Sequence, residues 1–159
     1  VVFSINKFAD ILFRADKPQQ SAYKVERIEP TLTSASNTGQ AAVGINELLA
    51  MGSIEHGEKV FKRCSACHMI AAGGKNMIGP NLWGVLGRKT GAVSDYKYSK
   101  ALAAYGKEWT FTEMNGFLIK PSAHIKGTKM AFAGLKKEKD RASVILFMNS
   151  KSDSPIPTP

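Results

Sequence analysis

Cysteine is scarce in this chain: its 159 residues hold two, Cys64 and Cys67. So few exclude a framework of several disulfides. A structural zinc site wants four ligands, usually as two pairs. Apart from His68, the chain offers only His56 and His124, neither of them paired with another ligand at zinc spacing. No segment alternates apolar and polar residues over a useful strand length, and no internal repeat recurs. Acidic residues are also few, 13 against 22 Lys and Arg, for a net charge of +9. No zinc-finger spacing and no RNP-like aromatic run accompanies that charge, which excludes the common nucleic-acid modules. A basic chain without them points to an acidic protein surface as its partner.

The charge is unevenly placed. Residues 1–52 hold five basic and five acidic side chains, so the excess lies in residues 53–159, with 17 basic and 8 acidic. The same part holds Cys64-Ser65-Ala66-Cys67-His68. Two thiols three residues apart, with an imidazole directly after the second, form a c-type haem attachment motif. One helical turn sets the thiols at about the separation of two porphyrin vinyl groups, and the next side chain reaches the iron as its proximal ligand. A thioredoxin-like redox pair has no use for the adjacent histidine and expects a βαβ setting.

Four segments follow from the pattern. In residues 1–15, Val1, Ile5, Phe8 and Leu12 share a helical face with Lys7, Asp10 and Arg14 opposite. Its apolar stretch, residues 1–13, cannot cross a bilayer, which needs about 20 residues, and Lys7 and Asp10 break any signal-peptide core. The segment reads as the end of a membrane anchor, an amphipathic surface segment or a short helix packed on the domain. Residues 16–52 lose periodicity and have linker composition, either flexible or laid as a strap along the domain.

Residues 53–150 form an organised all-α domain. Ser53 caps a first helix that carries Val60 and Phe61 into the motif. Residues 69–97 are loop. A short helix begins near Ser99 and is closed by Gly106. Thr110 and Glu113 form a capping box, with Trp109 and Met114 as its staple, and that helix stops before Pro121. A last helix runs from about Lys137 to Asn149. Residues 151–159, rich in proline, read as a disordered tail.

The second axial ligand must cross the ring from elsewhere. Met69 and Met77 lie too close to the attachment turn, and Met51 precedes the first helix. Met114 and Met148 occupy helical positions that suit core packing. Met130 stands in a loop between two predicted helices, where a thioether can be laid over the iron. It is the first candidate, with His124 as the alternative.

From Ser53 to Ser150 the chain resembles a class I cytochrome c of the mitochondrial type. The likeness rests on Gly57-x-x-x-Phe61, Cys64-x-x-Cys67-His68, Gly79-Pro80-Asn81-Leu82, Gly87-Arg88-Lys89-Thr90-Gly91, Tyr96-x-Tyr98-Ser99, Trp109, Pro121 and Gly127-Thr128-Lys129-Met130-x-Phe132-Ala133-Gly134, in order and without gaps. With its N-terminal extension the whole is most similar to membrane-anchored bacterial cytochromes c. The resemblance implies helices packed around one haem c, covalent through Cys64 and Cys67, with His68 and Met130 as metal ligands. It implies that the Pro80 carbonyl accepts the His68 Nδ1 proton. It implies that Arg88, Tyr98, Trp109 and Thr128 serve the haem propionates and that Phe132 shields the haem edge. It places Lys59, Arg63, Lys75, Lys129, Lys136 and Lys137 on the docking face. Three positions depart from the pattern: Phe117 stands where the family often has a tyrosine bonded to the ligand sulfur, Lys126 where proline is common, and His124 where an aromatic is common. His124 is expected to be a surface residue.

The function implied is that of a mono-haem electron carrier, not an enzyme, passing single electrons from a cytochrome bc complex to a haem–copper oxidase. The alternatives are a haem subunit fixed in a larger respiratory complex, or a peroxidase-like protein if Met130 is displaced. The expected place is the periplasmic side of a bacterial inner membrane, tethered, with the mitochondrial intermembrane space as the alternative.

Overall fold

A computed structural model of the protein describes residues 44–159. The amphipathic segment expected over 1–15 and most of the expected linker lie outside these residues. Among the described residues there are six helices and no sheet: α1 (Ile45–Ala50), α2 (Ile54–Phe61), α3 (Lys100–Ala103), α4 (Phe111–Ile119), α5 (Pro121–His124) and α6 (Glu138–Ser150). A single isolated bridge joins Lys89 to Glu108. No described helix is long and apolar enough to cross a membrane.

The helix starts are set by side-chain caps. Ser53 accepts from the His56 amide at 3.2 Å, Ser99 from Leu102 at 3.2 Å and Thr110 from Glu113 at 3.1 Å, each satisfying an amide left free in a first turn. Only half of the expected capping box forms, because the Glu113 carboxylate turns to other donors. The kink between α4 and α5 falls at Lys120, ahead of Pro121, which occupies the first turn of α5.

α2 crosses α6 at Gly57, whose buried position admits the Ser143 backbone, and Phe61 meets Phe147 beyond it with ring centres 5.3 Å apart. Ser143 is fully buried, and its hydroxyl accepts the Ser53 amide at 3.1 Å. His56 bonds Asp140 at 2.8 Å across the same crossing. Arg141, buried in the first half of α6, bonds Asn115 of α4 at 2.7 Å and the carbonyls of Leu135 and Lys136 at 2.9 Å. A buried guanidinium held this way fixes α6 against α4.

Two boundaries differ from the sequence reading. The end of the expected linker is α1, which buries Leu48 and Leu49 and packs on α6. Gly52 then turns the chain into α2 so closely that a methyl group there would stand 2.9 Å from the Ala142 and Ser143 backbone. The expected disordered tail is instead tied down. Asn149 donates to the Ile156 carbonyl at 2.9 Å and accepts its amide at 3.1 Å. Asp153 accepts the Trp83 indole N–H at 2.9 Å, and the Gly84 amide donates to Lys151 at 2.8 Å. The tail thereby closes on the 82–88 loop.

Candidate functional site

α2 runs straight into the attachment motif. Past Phe61 the helix tightens: the Cys64 amide donates to Phe61 at 2.7 Å and the His68 amide to Cys64 at 3.0 Å. This turn brings Cys64, Cys67 and His68 to the wall of one cavity of about 540 Å³, a size suited to a large cofactor. Cys64 and Cys67 are both half-buried, and no disulfide joins them. Burial pushes the Cys64 thiol up to about 11, against the opposing pull of Arg63.

His68 Nδ1 donates to the Pro80 carbonyl at 2.8 Å, which leaves Nε2 as its free nitrogen. Burial lowers the His68 pKa and the Pro80 bond only partly offsets it, favouring the neutral ring a metal needs. The ring is also held by contact: a methyl group at Gly79 would stand 2.2 Å from its Cε1. That close approach explains why glycine precedes Pro80.

Pro80, Arg88, Tyr98, Trp109, Thr128 and Met130 line the same cavity, so the structure brings together all nine expected cofactor-binding residues. Arg88 donates to the carbonyls of Trp83 at 3.0 Å and Asn81 at 2.9 Å, so its guanidinium also braces the loop it stands on. Met130 lies in the loop after α5, and its amide donates to the Thr128 hydroxyl at 3.3 Å. Apolar side chains close the rest of the cavity, among them Val85, Phe117, Leu118, Val144 and Met148. Those from α4 and α6 carried only a core signal in the sequence.

The expected docking residues divide. Arg63, Lys129 and Phe132 line the cavity, with the Arg63 guanidinium 5.7 Å from the Phe132 ring centre. Lys59, Lys75, Lys136 and Lys137 are exposed and lie off its walls. Ile78, 77% exposed, is an apolar residue in the cavity lining that the lysine pattern did not reveal.

Sequence reasoning also missed a polar cluster behind the cavity. Glu113 accepts from Tyr105 and His124 on one carboxylate oxygen and from Lys107 on the other, at 3.0 Å. His124 is therefore a half-buried partner of α4, not a free surface residue. Burial alone would raise the Glu113 carboxyl, but its three donors overcome that and hold it down to about 2.

Two thiols, a neutral imidazole and an apolar cavity fit a haem joined by two thioether bonds. Such a site in an all-helical shell defines a c-type haem protein. The family model described as Cytochrome c matches residues 54–152. A "Cytochrome c homolog" of Rickettsia bellii is 36% identical over 151 residues, covering 94% of this chain and 87% of its own. The "Cytochrome c" of Cochliobolus lunatus is 45% identical over 102 residues, covering 64% of this chain and 94% of its own. Among solved structures, cytochrome cH from Methylobacterium extorquens is 36% identical with a TM-score of 0.60, covering 63% of this chain and all of its own. The chain belongs to the cytochrome c family of electron carriers and binds haem c covalently through Cys64 and Cys67. The rickettsial alignment extends well ahead of residue 54, whereas the fungal one is confined to about the length of the haem domain.

Proposed function

We propose that this chain shuttles single electrons between respiratory complexes, from a cytochrome bc complex to a haem–copper oxidase, with its iron between His68 and Met130. The observation that carries the reading is the pairing of His68, its Nδ1 already taken by Pro80, with Met130 on the walls of one mainly apolar cavity. Bound haem supplies an iron that takes up and gives back one electron. A thioether and a histidine together favour the ferrous state and raise the potential. With His68 and Met130 both holding the iron, no coordination site would stay open for a substrate, which suits a carrier and not an enzyme.

Arg63, Lys129 and Phe132 on the cavity wall, and Lys59, Lys75, Lys136 and Lys137 beyond it, form a basic face for the acidic docking surfaces of redox partners. Residues 1–15 belong with a tether on the periplasmic side of a bacterial inner membrane. The helical spacing of their apolar residues in the sequence, and an alignment to bacterial relatives that runs along the extension, support that placement. The test is electron transfer from the reduced protein to oxidase-containing membranes. The second-order rate should fall as salt rises, and reduced protein at neutral pH should resist carbon monoxide. A rate indifferent to salt contradicts the docking face, and ready carbon monoxide binding contradicts the closed site.

A further inference from the structure

The loop that carries Met130 begins immediately after His124 and ends at Leu135. Both ends are fastened to α4. At the far end the Leu135 amide donates to the Leu118 carbonyl at 2.8 Å. Gly134, at φ +93°, passes so close that a methyl group there would stand 2.0 Å from the Ile119 oxygen. At the near end the fastening is His124. With Nε2 protonated, the ring donates to Glu113, and the Tyr105 oxygen lies 3.1 Å from the same nitrogen.

His124 is also boxed in by packing. A methyl group at Gly116 would stand 2.7 Å from its Cε1. Its ring meets Phe117 edge-on, with centres 6.1 Å apart, and Phe117 in turn packs on Trp109 at 4.9 Å on the cavity wall. From His124 a short relay reaches the methionine. The buried Ile125 accepts the Thr128 amide at 3.1 Å, and the Thr128 hydroxyl accepts the Met130 amide at 3.3 Å. Phe117 has no hydroxyl to offer the methionine sulfur, so the sulfur's placement falls to the loop that carries it.

We infer that His124 is a positioning residue: its bond to Glu113, shared with Tyr105, latches the base of the loop to α4 and so holds the Met130 sulfur over the cavity. The inference rests on the reading of Met130 as an axial ligand. Glu113 is suited to the task because Lys107 holds its second oxygen at 3.0 Å and leaves the first for the latch. Hydrogen bonds to a charged group are among the stronger ones in proteins, and losing one partner leaves the other unpaired in a half-buried place.

The test uses the haem-loaded full chain and added imidazole as the competing ligand. In His124→Phe, which keeps a ring but no donor, the affinity for imidazole should rise about tenfold, and the near-infrared sulfur-to-iron absorption should weaken. His124→Gln, which restores a donor, should recover most of both. Glu113→Gln removes the charged acceptor and should behave like His124→Phe, which keeps the test open if the phenylalanine variant folds poorly. Leu49→Ala lowers stability at a distance from the loop and should leave imidazole affinity unchanged. Equal affinities in His124→Phe, Glu113→Gln and the parent, or an equal rise in Leu49→Ala, would overturn the latch. A parent protein without the near-infrared absorption removes the axial Met130 reading itself, and the latch with it.

Discussion

Gly57 and Ser143 touch backbone to backbone: a methyl group on Gly57 would stand 2.0 Å from the Ser143 carbonyl oxygen. This contact sets how near α2 can come to α6, and therefore where Cys64, Cys67 and His68 stand relative to Val144 and Met148, which also line the cavity. Because the obstacle is backbone on both sides, no rotamer change relieves it. Gly57→Ala should lower the stability of the haem-loaded protein by about 1–3 kcal/mol, the range for overpacked cores. Guanidinium unfolding measures this, and an unchanged midpoint would contradict so close a crossing.

α1 should behave as part of the haem domain. Leu48 and Leu49 are 2% and 5% exposed, and truncating a buried leucine costs about 2–5 kcal/mol when the site cannot collapse. Leu48→Ala in the full chain should fall in that range and should speed amide exchange in the middle of α6. Stability within error of the parent would return residues 45–50 to the linker.

Glu113 predicts a particular acid response. Its carboxyl is held at about 2 against an ordinary 4.5, burial opposing and Tyr105, His124 and Lys107 prevailing. A depressed carboxylate contributes stability that is complete above pH 4.5 and is lost as pH falls towards 2. The stability gap between the parent and Glu113→Gln should therefore narrow through that window, read from denaturant unfolding at successive pH values. Acid effects common to both proteins cancel in the difference. A gap that stays constant would show that the three donors do not favour the charged form.

Local chemistry made much of this molecule legible beforehand. The Cys64–His68 motif named its cofactor, and Ser53, Ser99 and Thr110 marked three helix starts because an N-cap acts over only three residues. α1 was not legible, since six residues cannot hold a helix in isolation and its stability comes from α6, about a hundred positions away. The C-terminal strap escaped for a related reason. Asn149 pairs with the Ile156 backbone, and such side-chain clasps leave no periodic trace. His124 looked like a surface residue because its partners, Glu113 and Tyr105, lie 11 and 19 positions back and meet it only through the α4–α5 turn.

On the proposed function, the His68 imidazole and the Met130 thioether close the haem iron from both sides. Near-infrared absorption of the freshly oxidised protein at neutral pH tests it most directly. The weak sulfur-to-iron charge-transfer band should be present in the parent and disappear in Met130→Ala. A parent that lacks the band, or a Met130→Ala variant that keeps it, would contradict ligation of the iron by Met130.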